Sequence, residues 1–184
     1  MNHVTRDPMD PCSLDVRRVS ALLLTLGLTL VSCSKSPART RAQPVPLPPS
    51  VSATPAQAEE LVTRTNAHRV ALGLPPLARQ AALMRAAQLQ ADQMAALNTM
   101  AHDLPHAAYP TLDARLAAVE YRMAASGENV AEGYPSAAAV VAGWMTSPGH
   151  RANIVATHFT QMGAGVATAS NGHRFYAQVF GSPR

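Results

Sequence analysis

The sequence predicts an α+β domain on three observations. Ala, Leu, Val and Met supply most of the apolar residues while aromatics make up only 4% of the chain, a bias toward helices and away from an all-β sandwich. Capped stretches with apolar residues at helical spacing come first. The C-terminal end then changes to period two on either side of Asn171-Gly172, a strong hairpin signal. Helices first, an antiparallel hairpin last and a short extended segment between them place helices on a small, mainly antiparallel sheet.

The first helix begins with its cause in view. Thr54 is the N-cap, Pro55 takes the first helical position, and Gln57 stands three residues after the cap to close a capping box. The helix is expected to reach about Leu72, where Gly73 supplies the left-handed position and Pro75-Pro76 prevents resumption. A second helix, roughly Arg79 to Met100, carries Leu83, Ala87, Ala91 and Met94 on one face, with Gln88, Gln90 and Asp92 off it. Thr111 caps a short third helix with Leu112 and Leu116. Gly127 to Gly133 reads as a brief extended segment ending in a turn. Ser136 opens a fourth helix through Val140, Val141 and Trp144, and Ser147-Pro148 repeats the cap-plus-proline start for a further helical turn over Gly149 to Val155. Strands over Met162 to Ala167 and Arg174 to Phe180 complete the domain, and there is no internal repeat.

The first third of the chain lies outside that domain. Arg17 and Arg18 precede a short apolar run, Ala21 to Val31, and small residues follow, the pattern of a secretory signal. Leu30-Val31-Ser32-Cys33 resembles the lipobox of bacterial lipoproteins, in which the cysteine is lipidated and becomes the new N-terminus. Residues 1–32 are therefore expected to be a lipoprotein signal peptide, residues 33–55 a lipidated Cys33 with a Pro-rich tether, and residues 56–184 the folded domain. The chain is expected to be exported and anchored to a membrane by lipid on Cys33, facing the periplasm or the cell surface. An uncleaved anchor or a plain signal peptide with an incidental cysteine is the competing reading. The chain's two cysteines, Cys12 and Cys33, both fall before the domain, which must then be stable without disulfides.

The formal charge of +4 invites a nucleic-acid reading, which the distribution of charge removes. From Ala56 onward nine Lys and Arg face eight Asp and Glu, so the domain is close to neutral. It has no basic stripe and no interleaved aromatics, and no nucleic-acid partner is expected.

Polar, chemistry-bearing residues gather toward the C-terminal end, in Gly127-Glu128-Asn129 and in the run from Trp144 through Ser147-Pro148-Gly149-His150-Arg151 to His158. With Asn66, Arg69, Gly73, Leu74, Pro76 and Leu77 upstream, then His102, and with Asn153 and His158-Phe159-Thr160-Gln161 downstream, the chain from about Ala56 to Arg184 resembles the CAP superfamily. This is the SCP domain of cysteine-rich secretory, antigen 5 and pathogenesis-related proteins, and the Ser-Pro-Gly-His-Arg segment is similar to its bacterial branch. The resemblance implies a three-layer α-β-α sandwich with a central cleft that in many members holds two His and two Glu able to bind a divalent metal. Carried over by position, His102 is the first His, Glu128 the first Glu and His158 the second His; the second Glu position is held by Ser147, and His150 lies close enough in sequence to join the cleft.

Two imidazoles and one carboxylate are the ligand set of a catalytic zinc site. With His102, Glu128 and His158 as ligands, a divalent metal such as zinc would acidify a bound water. Hydrolysis also needs a general base, and Ser147 without a partnered base is a poor one. Without metal, the same residues make a hydrogen-bonded cluster that lines a ligand pocket. The expected function is accordingly binding of a small molecule, lipid or other envelope component, with metal-dependent hydrolysis and a protein or cell-wall interaction module as alternatives. His102-Asp103-Leu104-Pro105-His106 does not make a zincin helix, because Pro105 breaks the register. Asn66 and Arg69 are expected to tie the first helix to the following loop, Trp144 to anchor the core beside the cleft, and His68, His106 and His173 to lie on the surface or in loops.

Overall fold

A single sheet runs through the middle of the domain in the computed structural model, which describes residues 51–52 and 55–184. The expected signal segment, the cysteine expected to carry lipid (Cys33), most of the tether and the Thr54 cap lie outside the described residues. The elements in chain order are β1 (Val51–Ser52), α1 (Pro55–Ala71), β2 (Ala78–Arg79), α2 (Ala81–Leu97), α3 (Leu112–Ala118), β3 (Met123–Glu132), α4 (Ala137–Thr146), α5 (Pro148–Val155), β4 (Gln161–Thr168) and β5 (Arg174–Pro183). The strand order is β1-β4-β5-β3, all antiparallel, with β2 joining β4 in parallel.

Each face of the sheet carries its own apolar core, which makes the domain a three-layer α-β-α sandwich. On one side Leu61 and Val62 of α1, Val140, Val141 and Trp144 of α4 and Ile154 of α5 pack on Met162, Tyr176 and Phe180. On the other, Leu83, Ala87, Ala91 and Met94 of α2 and Leu116 of α3 pack on Val130, Phe175, Ala177 and Val179. The alternation of Phe175, Ala177 and Val179 against Tyr176 and Phe180 is the two-residue period of a strand buried on both sides.

α2 lies directly on β4, and Gly163 and Gly165 are the reason. A Cβ on Gly163 would overlap the backbone of Leu83 and Met84, and one on Gly165 would come within 2.5 Å of the backbone carbonyl of Ala87. Only glycine at these alternate positions lets the helix backbone rest on the strand.

The caps fall where the sequence places them: the side chains of Thr111 and Ser136 accept from Ala114 N–H and Ala139 N–H at the third helical residue. Four expectations change. Val51–Ser52, given to the tether, pair with Thr168 and Ala167, so the sheet takes in part of that stretch. The extended segment begins at Met123, not Gly127, because β3 pairs with β5 along its length. The β4–β5 connection spans residues 169–173, with Gly172 at φ +84° and Ala169 N–H bonded to His173 C=O at 2.8 Å, a longer loop than a two-residue turn. Gln90, placed off the core face of α2, is fully buried.

Candidate functional site

The segment Gly127-Glu128-Asn129 sits in mid-strand, where β3 pairs with Phe180, Val179 and Gln178 of β5. Strand alternation sends neighbouring side chains to opposite faces. Each of the three residues therefore has a separate role. Gly127 leaves room for Phe159, whose ring would be 2.9 Å from a Cβ at that position. Asn129 faces the α1–α5 layer and donates to His150 C=O at 3.1 Å, while accepting from Asn153 Nδ2 at 2.9 Å. Its network continues to Gln178, whose amide donates to the Thr65 hydroxyl of α1 at 2.6 Å.

Glu128 faces the α2–α3 layer, and both of its carboxylate oxygens are taken. Oε2 accepts from Arg115 Nη2 at 2.6 Å, and Oε1 lies 3.0 Å from His102 Nδ1. The Glu128 side chain is 4% exposed and that of Arg115 not at all, whereas the His102 ring is 57% exposed. A carboxylate removed from water needs a charged partner, and the guanidinium supplies it. The hydrogen bond to Glu128 raises the His102 pKa above the ordinary imidazole value.

The loop that carries His102 is fastened from below. Gln90 donates to the carbonyls of Ala101 and His102 at 2.6 and 3.1 Å, and Gln93 makes paired bonds with the backbone of Tyr109 at 3.1 and 2.8 Å. Arg115 adds Tyr109 C=O at 3.4 Å. His150, near the start of α5, has its ring centroid 6.4 Å from that of Trp144. Burial lowers its pKa, and the charge of His102 lowers it further. Trp144 is buried and donates from Nε1 to Val130 C=O at 3.3 Å, the anchoring role expected of it.

The sequence-derived site residues thus divide. His102 and Glu128 are joined, and His150 lies within electrostatic range of His102. Ser147 is half-buried at the junction of α4 and α5, where its backbone ends one helix and opens the next while its hydroxyl makes no cap bond. His158 is exposed, its ring stands 4.2 Å from that of Phe159, and its carbonyl accepts from the Ser182 hydroxyl. Among the described residues no three His, Cys, Asp or Glu side chains converge to hold an ion. The expected triad of His102, Glu128 and His158 is therefore not assembled as a metal site. A divalent ion on Glu128 would also meet the positive charge of the Arg115 guanidinium, 2.6 Å from the carboxylate. The donor set does not fit the metal.

Arg115, Gln90 and Gln93 were not singled out from the sequence, yet a signal for two of them exists. Arg115 follows Leu112 by three residues, and Gln90 follows Ala87 by three, so both lie on the buried stripe of their helices. A polar side chain on an apolar stripe is one that has a buried partner to meet. Asn66 and Arg69 do the tying expected of them: Asn66 holds Leu77 N–H and C=O at 2.8 and 3.0 Å, and Arg69 holds Pro75 C=O at 2.9 Å. Arg69 reaches further than that, to the carbonyls of Ile154 and Ala156 at the end of α5.

The model of the cysteine-rich secretory protein family, CAP, matches residues 62–180. The chain belongs to the CAP family. The CAP domain is 36% identical over 118 residues to the uncharacterized protein YkwD of Bacillus subtilis, a match that covers 64% of this chain and 44% of that protein. It superposes on an extracellular SCP-domain protein of Bacillus anthracis with a TM-score of 0.62 at 28% identity, covering 70% of this chain and 44% of the other. It has the fold of an outer surface protein of Borrelia burgdorferi, with a TM-score of 0.66 at 19% identity over 73% of this chain and 99% of the other. The chain spans less than half the length of both Bacillus proteins. The Bacillus anthracis protein is extracellular by name, in keeping with export.

Proposed function

We propose that this CAP domain is a membrane-tethered binding module whose cleft takes a small molecule or lipid by an acidic headgroup. The observation behind the reading is that both oxygens of Glu128 are committed to Arg115 and His102. With its charge balanced internally, the carboxylate offers nothing outward. The exposed His102 ring becomes the group that the cleft presents, with His150 near it. The imidazolium that this carboxylate favours donates from Nδ1 to Glu128 and turns its Nε2–H to solvent as a donor to an anion. Ser147 lacks a paired imidazole or carboxylate among its described contacts, which favours recognition over hydrolysis. Lipid on Cys33 and the Pro-rich segment after it would hold this cleft close to a membrane.

The test uses the full chain in detergent micelles, examined by native mass spectrometry for co-purified lipid and by calorimetry with soluble lysophospholipids. Acidic headgroups are expected to bind, neutral ones are not, and His102→Ala is expected to lose about tenfold in affinity, the worth of one charge-assisted hydrogen bond. A chain that binds no member of the panel, or a His102→Ala variant that binds as the wild type does, would overturn the reading.

A further inference from the structure

We infer that Arg115 is the resident cation of the cleft and stands in for the divalent metal that the family resemblance implies. One guanidinium does three things there. Its Nη2 meets the Glu128 carboxylate at 2.6 Å and lies 3.5 Å from His102 C=O, while Nη1 reaches Tyr109 C=O at 3.4 Å. It therefore ties a carboxylate on β3 to two points of the loop that carries His102, a link that a metal bridging Glu128 and His102 would otherwise make. The fit of the fork is set by these partners alone, because the remaining nitrogen, Nε, is buried without a hydrogen-bond partner. A side chain accepts such an orphan donor only where its other contacts hold it in place.

The consequences differ from those of a metal site. A guanidinium stays charged at every physiological pH, so the cleft needs no ion supply and is indifferent to chelators. It also excludes a dication from Glu128 by repulsion at close range. The His102 loop is thus ordered by a covalent part of the chain.

Zinc binding to the full chain tests this apart from any ligand. For the wild type, zinc at micromolar concentrations and an excess of EDTA are both expected to leave the melting temperature and the His102 imidazole NMR signals unchanged. Arg115→Met frees the carboxylate, and is expected to bind zinc at least tenfold more tightly than the wild type and to melt at a higher temperature when zinc is added. Glu128→Gln in the same background should abolish both effects. Arg115→Lys keeps the charge and should exclude zinc as the wild type does, a comparison that holds even where Arg115→Met does not fold. Stoichiometric zinc on His102 and Glu128 of the wild type would overturn the inference. Equal indifference to zinc in Arg115→Met, or zinc uptake by Arg115→Lys, would do the same.

Discussion

Arg115 and Glu128 form an ion pair of 2.6 Å in which the guanidinium has no exposed surface and the carboxylate almost none. Such a pair gains little over a well-packed apolar pair, but either member left alone is an uncompensated buried charge. Arg115→Met or Glu128→Leu alone should therefore cost about 3–5 kcal/mol in urea denaturation. The double variant should be more stable than the sum of the two losses predicts, by about 3 kcal/mol. Additive losses would mean that the two charges act on the fold independently.

The pH dependence follows from two imidazoles shifted in opposite directions. His102 has a raised pKa in the folded domain, through its hydrogen bond to Glu128. Its contribution to stability is therefore fully present below the ordinary imidazole pKa and is lost as pH rises through the raised value. His150 is lowered by burial and then by the charge of His102, so its contribution is present above the ordinary value and is lost as pH falls through the lowered one. The ring of His102 is more than half exposed, which keeps its share small. In an NMR titration His102 should lose its proton at higher pH than His150. Glu128→Gln should bring the His102 midpoint down, and an unmoved midpoint would show that the 3.0 Å contact is not the cause.

Much of this arrangement was legible in the sequence, and the limits of the reading have physical causes. Caps and glycines act on their neighbours in the chain, so Thr111, Ser136 and the turn at Gly172 could be placed from local pattern alone. Glu128 and His102, 26 residues apart, were brought together through the family resemblance, and no spacing rule would have joined them. Arg115 escaped notice because its partner lies on another element 13 residues away, and nothing local distinguishes a buried arginine from a solvated one. His158 entered the expected site through the same resemblance. Membership of a motif does not fix where a side chain lies, and in the segment between α5 and β4 the His158 ring stands beside that of Phe159.

The Asn129 network makes a sharper test of side-chain chemistry than of size. Asn129 is fully buried, and its amide nitrogen donates to His150 C=O while its oxygen accepts from Asn153. Asn129→Asp preserves the shape but replaces the donor with a second acceptor facing a carbonyl. It is expected to cost about 2–4 kcal/mol, no less than Asn129→Ala, because a buried charge and an orphaned carbonyl add together. Thermal denaturation above pH 7 checks this. An aspartate tolerated better than alanine would mean that the oxygen contact to Asn153 carries the network.

Glycines in this domain serve different ends, and alanine substitution separates them. At Gly165 a Cβ would come within 2.5 Å of the Ala87 backbone, and at Gly163 it would overlap Leu83 and Met84, so neither neighbour can turn aside as a flexible side chain would. Gly163→Ala and Gly165→Ala should each cost about 3 kcal/mol or more, by lifting α2 off β4. Gly73 has open space around it but a φ of +74°, and its loss should reflect only the left-handed backbone, about 1–2 kcal/mol. Gly149 lies in the first turn of α5 with open space and an ordinary φ. Gly149→Ala should stabilise the domain by about 0.5 kcal/mol, since alanine gives up less backbone freedom in a helix. Chemical denaturation of the four variants ranks them, and if Gly149→Ala proved as damaging as Gly163→Ala, the space seen around α5 would have to be filled by a neighbour.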